Sequence, residues 1–243
     1  LRLPPSGVAS GTGMKPLDIG IAGAGPAGLA AALFLSRAGH RVELIERFER
    51  PSPVGSGLLM QPTGLTVLDA LGLSPAIHAL GNRIERLHGA DARSGRTVLD
   101  VRYDALAGGR YGLAVHRAAL FSTLNDAVTA QGLPIRTGIT LAKAETRQSR
   151  TVLHDEVGEI VGDYDLVIDA SGARSQLVAA SVVAPKVTEL PWGAFWATLD
   201  CEGIAHDARA LTQRYDAAKV MIGVLPVGRA QAGGARKAAF FWS

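Results

Sequence analysis

Apolar positions in this chain gather into short runs broken by glycine-rich turns, with a few stretches of helical spacing between them. The first run, Leu17 to Ala22, is continuous and reads as a buried strand that ends in glycines at positions 23, 25 and 28. Residues 26 to 38 carry Ala27, Leu29, Ala30, Ala31 and Leu33 and stop at Gly39, which predicts a helix packed against a sheet. A second strand is predicted over 41 to 46. The stretch from Phe48 to Pro62, rich in Pro, Gly and Ser, is expected to be an irregular loop that lines a site. From Thr63 the spacing of Leu65, Leu68 and Leu71 predicts a helix ending at Gly72, and Ser74-Pro75 opens a second short one.

Farther along, residues 83 to 103 alternate loosely and break at Arg93-Ser94-Gly95-Arg96, as a hairpin does. Leu113 to Val115 leads into a helix with Leu120, Leu124 and Val128 on one face and Gly132 at its end. A strand is predicted over 134 to 140, an antiparallel meander over 141 to 161, and a buried strand over 164 to 172 that runs out into a glycine turn. Three further strand-like runs lie around 193 to 200, 220 to 226 and 237 to 242.

The first of these turns carries chemistry. Gly23-Ala24-Gly25-Pro26-Ala27-Gly28 follows a strand, opens a helix and is trailed by an acid, Glu46, at the end of the next strand. In that context the three glycines do different things. Gly23 permits the tight turn, Gly25 lets backbone approach a pyrophosphate, and Gly28 lets the helix pack close to the sheet. Pro26 suits a first helical turn because it has no amide proton to leave unpaired, and the helix aims its remaining free amides at the phosphates. Glu46 can accept both hydroxyl protons of an adenosine ribose. An ADP-containing cofactor is therefore the expected ligand.

Composition narrows the rest. The 243 residues are 47% hydrophobic and 19% charged, ordinary for a globular enzyme able to bury a sizeable core. A net charge of +3 with scattered basic residues gives no stripe for nucleic acid, and no apolar run approaches the ~20 residues of a membrane helix. Cytoplasm is the default location. Cys201 is the only cysteine, so an intrachain disulfide and a cysteine-based zinc site are excluded; no metal site is expected. The first methionine is Met14, so residues 1–13 read as a non-native or disordered leader, and the apolar run ending at Ser243 reads as a break within a domain.

With those residues in view, the chain resembles the FAD-dependent aromatic hydroxylases, single-component flavoprotein monooxygenases related to para-hydroxybenzoate hydroxylase. Four segments carry the likeness: the glycine turn with Glu46 and Arg47; Gly55 to Pro62, similar to the family's loop beside the flavin ring; Val115-His116-Arg117-Ala118-Ala119-Leu120; and Asp165 to Gly172. The resemblance implies an α/β fold, a Rossmann-like FAD-binding domain with an interleaved, incomplete antiparallel substrate-side sheet. It assigns 14–82 and 104–182 to the FAD-binding domain, and 83–103 and 183–243 to the sheet. It implies FAD as cofactor, NADPH or NADH as transient reductant, molecular oxygen, and a small aromatic, phenol-like substrate. The cofactor-binding set it implies is Gly23, Gly25, Pro26, Ala27, Gly28, Glu46, Arg47, Gln61, Arg117, Asp169, Ser171 and Gly172.

Two departures stand out. Ser171 occupies the position of the family's Asp before Gly172, leaving Asp169 as the nearest acid, on the same face only if the strand continues that far. The family's later Gly-Asp segment would lie beyond Ser243. No nucleophile elbow, H-E-x-x-H or paired carboxylate pattern is present, so no catalytic acid or base is assigned. Arg117 at a helix start argues for an anionic partner, since that end repels cations. His116 reads as structural, Gln61 as either a flavin contact or a loop residue, and Trp192 and Trp196 as core rings or as a frame for an aromatic substrate. Another flavin oxidoreductase of the same fold, of the prenyl reductase type, and a truncated non-catalytic nucleotide-binding chain remain alternatives. Trp192-Gly-Ala-Phe-Trp196 does not match the Trp-x-Trp-x-x-Pro segment of flavin halogenases.

Overall fold

β1 (Asp18–Ala22) opens on Asp18 and is apolar and buried from Ile19 to Ala22, and Pro26 at the first helical position starts α1 (Pro26–Arg37). The computed structural model describes residues 15–50, 55–105, 108–180, 186–202 and 206–243, so the expected leader at 1–13 lies outside the described residues. After α1 come β2 (Arg41–Ile45), β3 (Gly57–Met60), α2 (Pro62–Ala70), α3 (Ser74–Leu80), β4 (Asn82–Ile84), β5 (Arg86–Asp91) and β6 (Thr97–Arg102). Next are β7 (Gly112–His116), α4 (Arg117–Ala130), β8 (Ile135–Arg136), β9 (Leu141–Arg147), β10 (Arg150–Asp155), β11 (Ile160–Tyr164) and β12 (Leu166–Asp169). The remaining strands are β13 (Phe195–Asp200), β14 (Ala210–Asp216), β15 (Val220–Arg229) and β16 (Arg236–Trp242). Among the described residues no helix is long and apolar enough to cross a membrane.

The described residues fall into two compact units, one drawn from 1–52 and 124–187, the other from 53–123 and 188–243. In the first, four parallel strands stand in the order β12-β1-β2-β8, and the antiparallel meander β11-β10-β9 forms a second sheet. Tyr164 joins the two. Its ring lies where side chains at Gly20 and Gly162 would otherwise stand, its hydroxyl donates to Glu43, and it packs with Ala22, Ile45, Leu153 and Leu177. Burial and the Glu43 carboxylate push its phenol well above the ordinary tyrosine range, so it stays a donor.

In the second unit a six-stranded sheet runs β13-β16-β15-β14-β5-β6, and β3-β7-β4 forms a smaller antiparallel one. The hairpin β5-β6 belongs to the same sheet as β13 to β16, joined through β14, which runs parallel to β5. Ile84, Tyr103, Ala114, Leu225, Val227 and Ala239 form its core. β3 and β7, whose residues are grouped above with the FAD-binding part, share with β4 a sheet that touches β15 of this second unit.

Three expectations change and one strand is added. The stretch 48–62 contains β3, whose Gly57 has no room for a side chain against Val227 and Ala239. The strand over 134–140 shrinks to two residues of β8 beside β2. The run 164–172 is not one buried strand: Tyr164 closes β11, and β12 is a partly exposed edge ending at Asp169. β14 was not foreseen, since Ala210–Asp216 mixes Thr, Gln and Arg into its run and has no clean alternation.

Candidate functional site

The glycine turn is built by steric exclusion. Gly23 has a φ of +97°, and a Cβ there would meet the Ala170 carbonyl oxygen at 2.6 Å and Ser171 Cα at 2.8 Å. The turn after β12 therefore crosses directly over the elbow. A Cβ on Gly28 would lie 1.9 Å from the Gly23 carbonyl oxygen, which fixes how closely α1 approaches β1. Gly25 differs: nothing lies within 4 Å of the place its Cβ would take. It is the N-cap of α1 without a side-chain cap, and Pro26 and Ala27 beside it are exposed. The helix thus presents bare backbone and the positive end of its dipole to an open space.

Glu46 faces this elbow. It is buried at 8% exposure, and its carboxylate accepts the Ala24 amide at 2.7 Å and the Phe48 amide at 3.1 Å. Two bonds leave part of the capacity of a carboxylate, which offers about four lone-pair directions, for further donors such as ribose hydroxyls. Arg47 is exposed with its guanidinium 4.6 Å over the Phe48 ring. A cavity in this unit is lined by Gly23, Glu46, Arg47, Thr140, Ser171 and Arg174, among others.

Asp169, Ser171 and Gly172 sit on the turn that crosses Gly23. The strand stops at Asp169, so Asp169 and Ser171 do not share a strand face; instead the Asp169 carboxylate accepts the Ser171 amide at 3.1 Å and its hydroxyl at 2.6 Å. Asp169 thereby shapes the turn and is not a simple substitute for an acid at 171. Gly172 has a φ of +94° and open space around it.

The other two predicted contacts lie in the second unit. Arg117 opens α4, and its side chain runs across Gly55, where a Cβ would stand 2.7 Å from Arg117 Cδ. The Arg117 amide donates to Ser56 O at 3.0 Å, so helix start and loop are fastened together. Ser56, buried, in turn bonds Thr198 across 2.6 Å. Gln61 accepts the Tyr103 hydroxyl at 2.7 Å, leaving its amide group for other partners. His116 Nδ1 accepts the Ala118 amide at 3.2 Å, so this ring caps α4. Burial, reinforced by the Lys237 ammonium, holds its pKa below the ordinary histidine value. Trp192 and Trp196 are 84% and 56% exposed, which corrects the core-packing reading.

The residues present therefore fit a dinucleotide in the first unit: open backbone at Gly25, a helix start and a buried acid converge there. Sequence reasoning missed Arg174 and Ser175, which share the turn after β12, and Thr140, which precedes β9; none of them carries a local pattern.

Comparison with known proteins agrees in kind. The family model described as "FAD binding domain" matches residues 16–233. The chain is 37% identical over 173 residues to 3-amino-4-hydroxybenzoate 2-monooxygenase of Streptomyces cremeus, covering 70% of this chain and 43% of that protein. It is 31% identical over 145 residues to 3-hydroxybenzoate 6-hydroxylase 1 of Aquipseudomonas alcaligenes, covering 57% and 36%. Among solved structures, HpxO of Klebsiella pneumoniae with FAD and uric acid superposes with a TM-score of 0.75 at 19% identity, over 93% of this chain and 56% of that one. The chain spans less than half the length of these two curated relatives.

Proposed function

From the premise that this chain belongs to the FAD binding domain family, we propose that it is the cofactor-holding part of an FAD-dependent monooxygenase. That enzyme hydroxylates a small aromatic, phenol-like substrate with NADPH or NADH and molecular oxygen. One observation carries the reading: the elbow at Gly23 to Gly28 is open where a diphosphate must pass, and buried Glu46 is fastened beside it. The hydroxybenzoate-directed relatives support the aromatic substrate class.

When bound, FAD would supply the redox chemistry that couples oxidation of the nicotinamide to insertion of one atom of molecular oxygen into the ring. The chain's own groups bind and orient. The α1 amides and backbone at Gly25 hold the diphosphate, with Pro26, Ala27 and Gly28 shaping that helix start. Glu46 accepts the ribose hydroxyls, and Arg47 flanks the adenosine. Gly172 leaves its turn without a side chain, while Asp169 and Ser171 keep that turn in shape. Arg117 and Gln61, on the loop and helix start of the second unit, are assigned to the flavin half. The exposed Trp196 on β13, and the exposed Trp192 just before that strand, offer aromatic surface to a ring. A nicotinamide reductant and the absence of any disulfide requirement agree with a cytoplasmic setting.

The test is a visible spectrum of the purified chain after adding FAD, followed by NADPH oxidation under air with a panel of hydroxybenzoates. Bound flavin, and NADPH consumption accelerated by a phenol in protein extended to its relatives' length, are expected. A chain that takes up no flavin overturns the reading.

A further inference from the structure

The turn from Asp169 to Leu177 is closed by its own side chains. Asp169 accepts the Ser171 amide and hydroxyl on one oxygen and the Ser175 hydroxyl on the other. Ser175 Oγ accepts the Leu177 amide at 3.0 Å, and the Ser175 amide donates to Gly172 O at 3.0 Å. The Asp169 carboxylate is thus occupied by three internal donors, and the Ser171 hydroxyl is turned inward. The same turn rests on the elbow, since a Cβ at Gly23 would strike Ala170 O and Ser171 Cα. A rigid turn seated on Gly23 carries Arg174 into the lining of the cavity that also holds Glu46 and Arg47.

Arg174 is exposed, and none of the ion pairs among the described residues involves it. The two nearby acids already serve backbone amides and turn hydroxyls. A guanidinium offers five N–H donors in a fork that matches phosphate oxygens. A dinucleotide whose ribose meets Glu46 enters the cavity that Arg174 lines together with Gly23 of the elbow.

Resting on the functional reading of this elbow as an FAD site, we infer that Arg174 contacts the diphosphate of the bound dinucleotide, and that the Asp169–Ser171–Ser175 clasp is the device that positions it. Ser171 then has a purpose distinct from the family's acid: its hydroxyl closes the clasp, and no second carboxylate opposes the phosphates.

The experiment measures dissociation constants of FAD and of ADP, which lacks the flavin half, for the unaltered chain, Arg174→Gln and Arg174→Lys at low and high salt. Arg174→Gln is expected to weaken FAD and ADP by a similar factor, about 10- to 100-fold, the loss of one charge-assisted contact. Arg174→Lys should recover part of it, and added salt should weaken the unaltered chain more than Arg174→Gln. Unchanged affinity in Arg174→Gln overturns the inference, as does a loss confined to FAD, which would assign the arginine to the flavin half. Should Arg174→Gln lose its far-ultraviolet signature, Arg174→Lys decides: weaker ADP binding by a folded variant supports the contact, and unaltered binding overturns it. An unaltered chain that binds neither ligand would instead overturn the functional reading itself.

Discussion

Gly25 and Gly28 are three positions apart and have opposite sensitivities. Open space surrounds the missing Cβ of Gly25, so Gly25→Val should fold with an unaltered melting temperature yet fail to retain FAD, because the valine occupies the path of the diphosphate. Gly28→Ala should instead cost at least about 1–3 kcal/mol of stability, since its methyl group must displace the backbone carbonyl of Gly23. Thermal melts and FAD titration on both variants separate fold from function. His116 gives a pH signature. Its folded pKa lies below the unfolded value because burial and Lys237 oppose the charged ring. The unfolded chain therefore binds a proton that the folded chain refuses, so this contribution is present above about pH 6.5 and is lost as pH falls through that value toward the folded pKa. His116→Asn, which keeps an acceptor for the Ala118 amide, should flatten the pH dependence of unfolding free energy below about pH 6.5, measured by denaturant titration.

At the scale of elements, Tyr164 is what fastens the meander β9–β11 to the parallel sheet. Its ring fills the space above Gly20 and Gly162, and its hydroxyl reaches Glu43 on β2. Tyr164→Phe keeps the ring and loses the hydrogen bond, leaving the Glu43 carboxylate one donor short, for an expected cost of about 1–3 kcal/mol. Tyr164→Ala opens a cavity beneath β1, with an expected cost of about 3–5 kcal/mol, the range for removing a buried aromatic ring. Because β1 carries the elbow, FAD affinity should fall with Tyr164→Ala and persist with Tyr164→Phe; equal effects of the two would show that the ring is not the fastening. Elements that local pattern predicted well include β1, α1, α2 and α4, whose apolar runs or helical spacing are followed by a glycine stop. Those it missed were short or mixed: β3 sits among glycines, and β14 is held by β5 and β15 on either side.

Across the whole molecule the chain passes between its two units at residues 52/53, 123/124 and 187/188. Neither unit is a continuous segment: the crossing at 52/53 falls in the Pro-, Gly- and Ser-rich stretch, whereas that at 123/124 falls inside α4 and leaves no mark in composition. The pairing of Ala210–Asp216 with Arg86–Asp91 illustrates the consequence: two strands more than a hundred residues apart become parallel neighbours, and only their assembled sheet makes either a sensible strand. The clasp around Asp169 is local in sequence, yet its significance is not, because it rests on Gly23 from the other end of the first unit.

Sequence by itself determined the elbow, its helix, the acid at its rim and the family to which they point. These depend on backbone geometry that only glycine permits and on a strand–turn–helix order that is read within thirty residues. Tertiary structure alone decided which surface of the elbow stays open, that the turn after Asp169 crosses Gly23, and that Arg174 lines the same cavity as Glu46. Those facts come from chain segments over a hundred residues apart brought into contact, and contact across such a distance leaves no periodic trace along the chain.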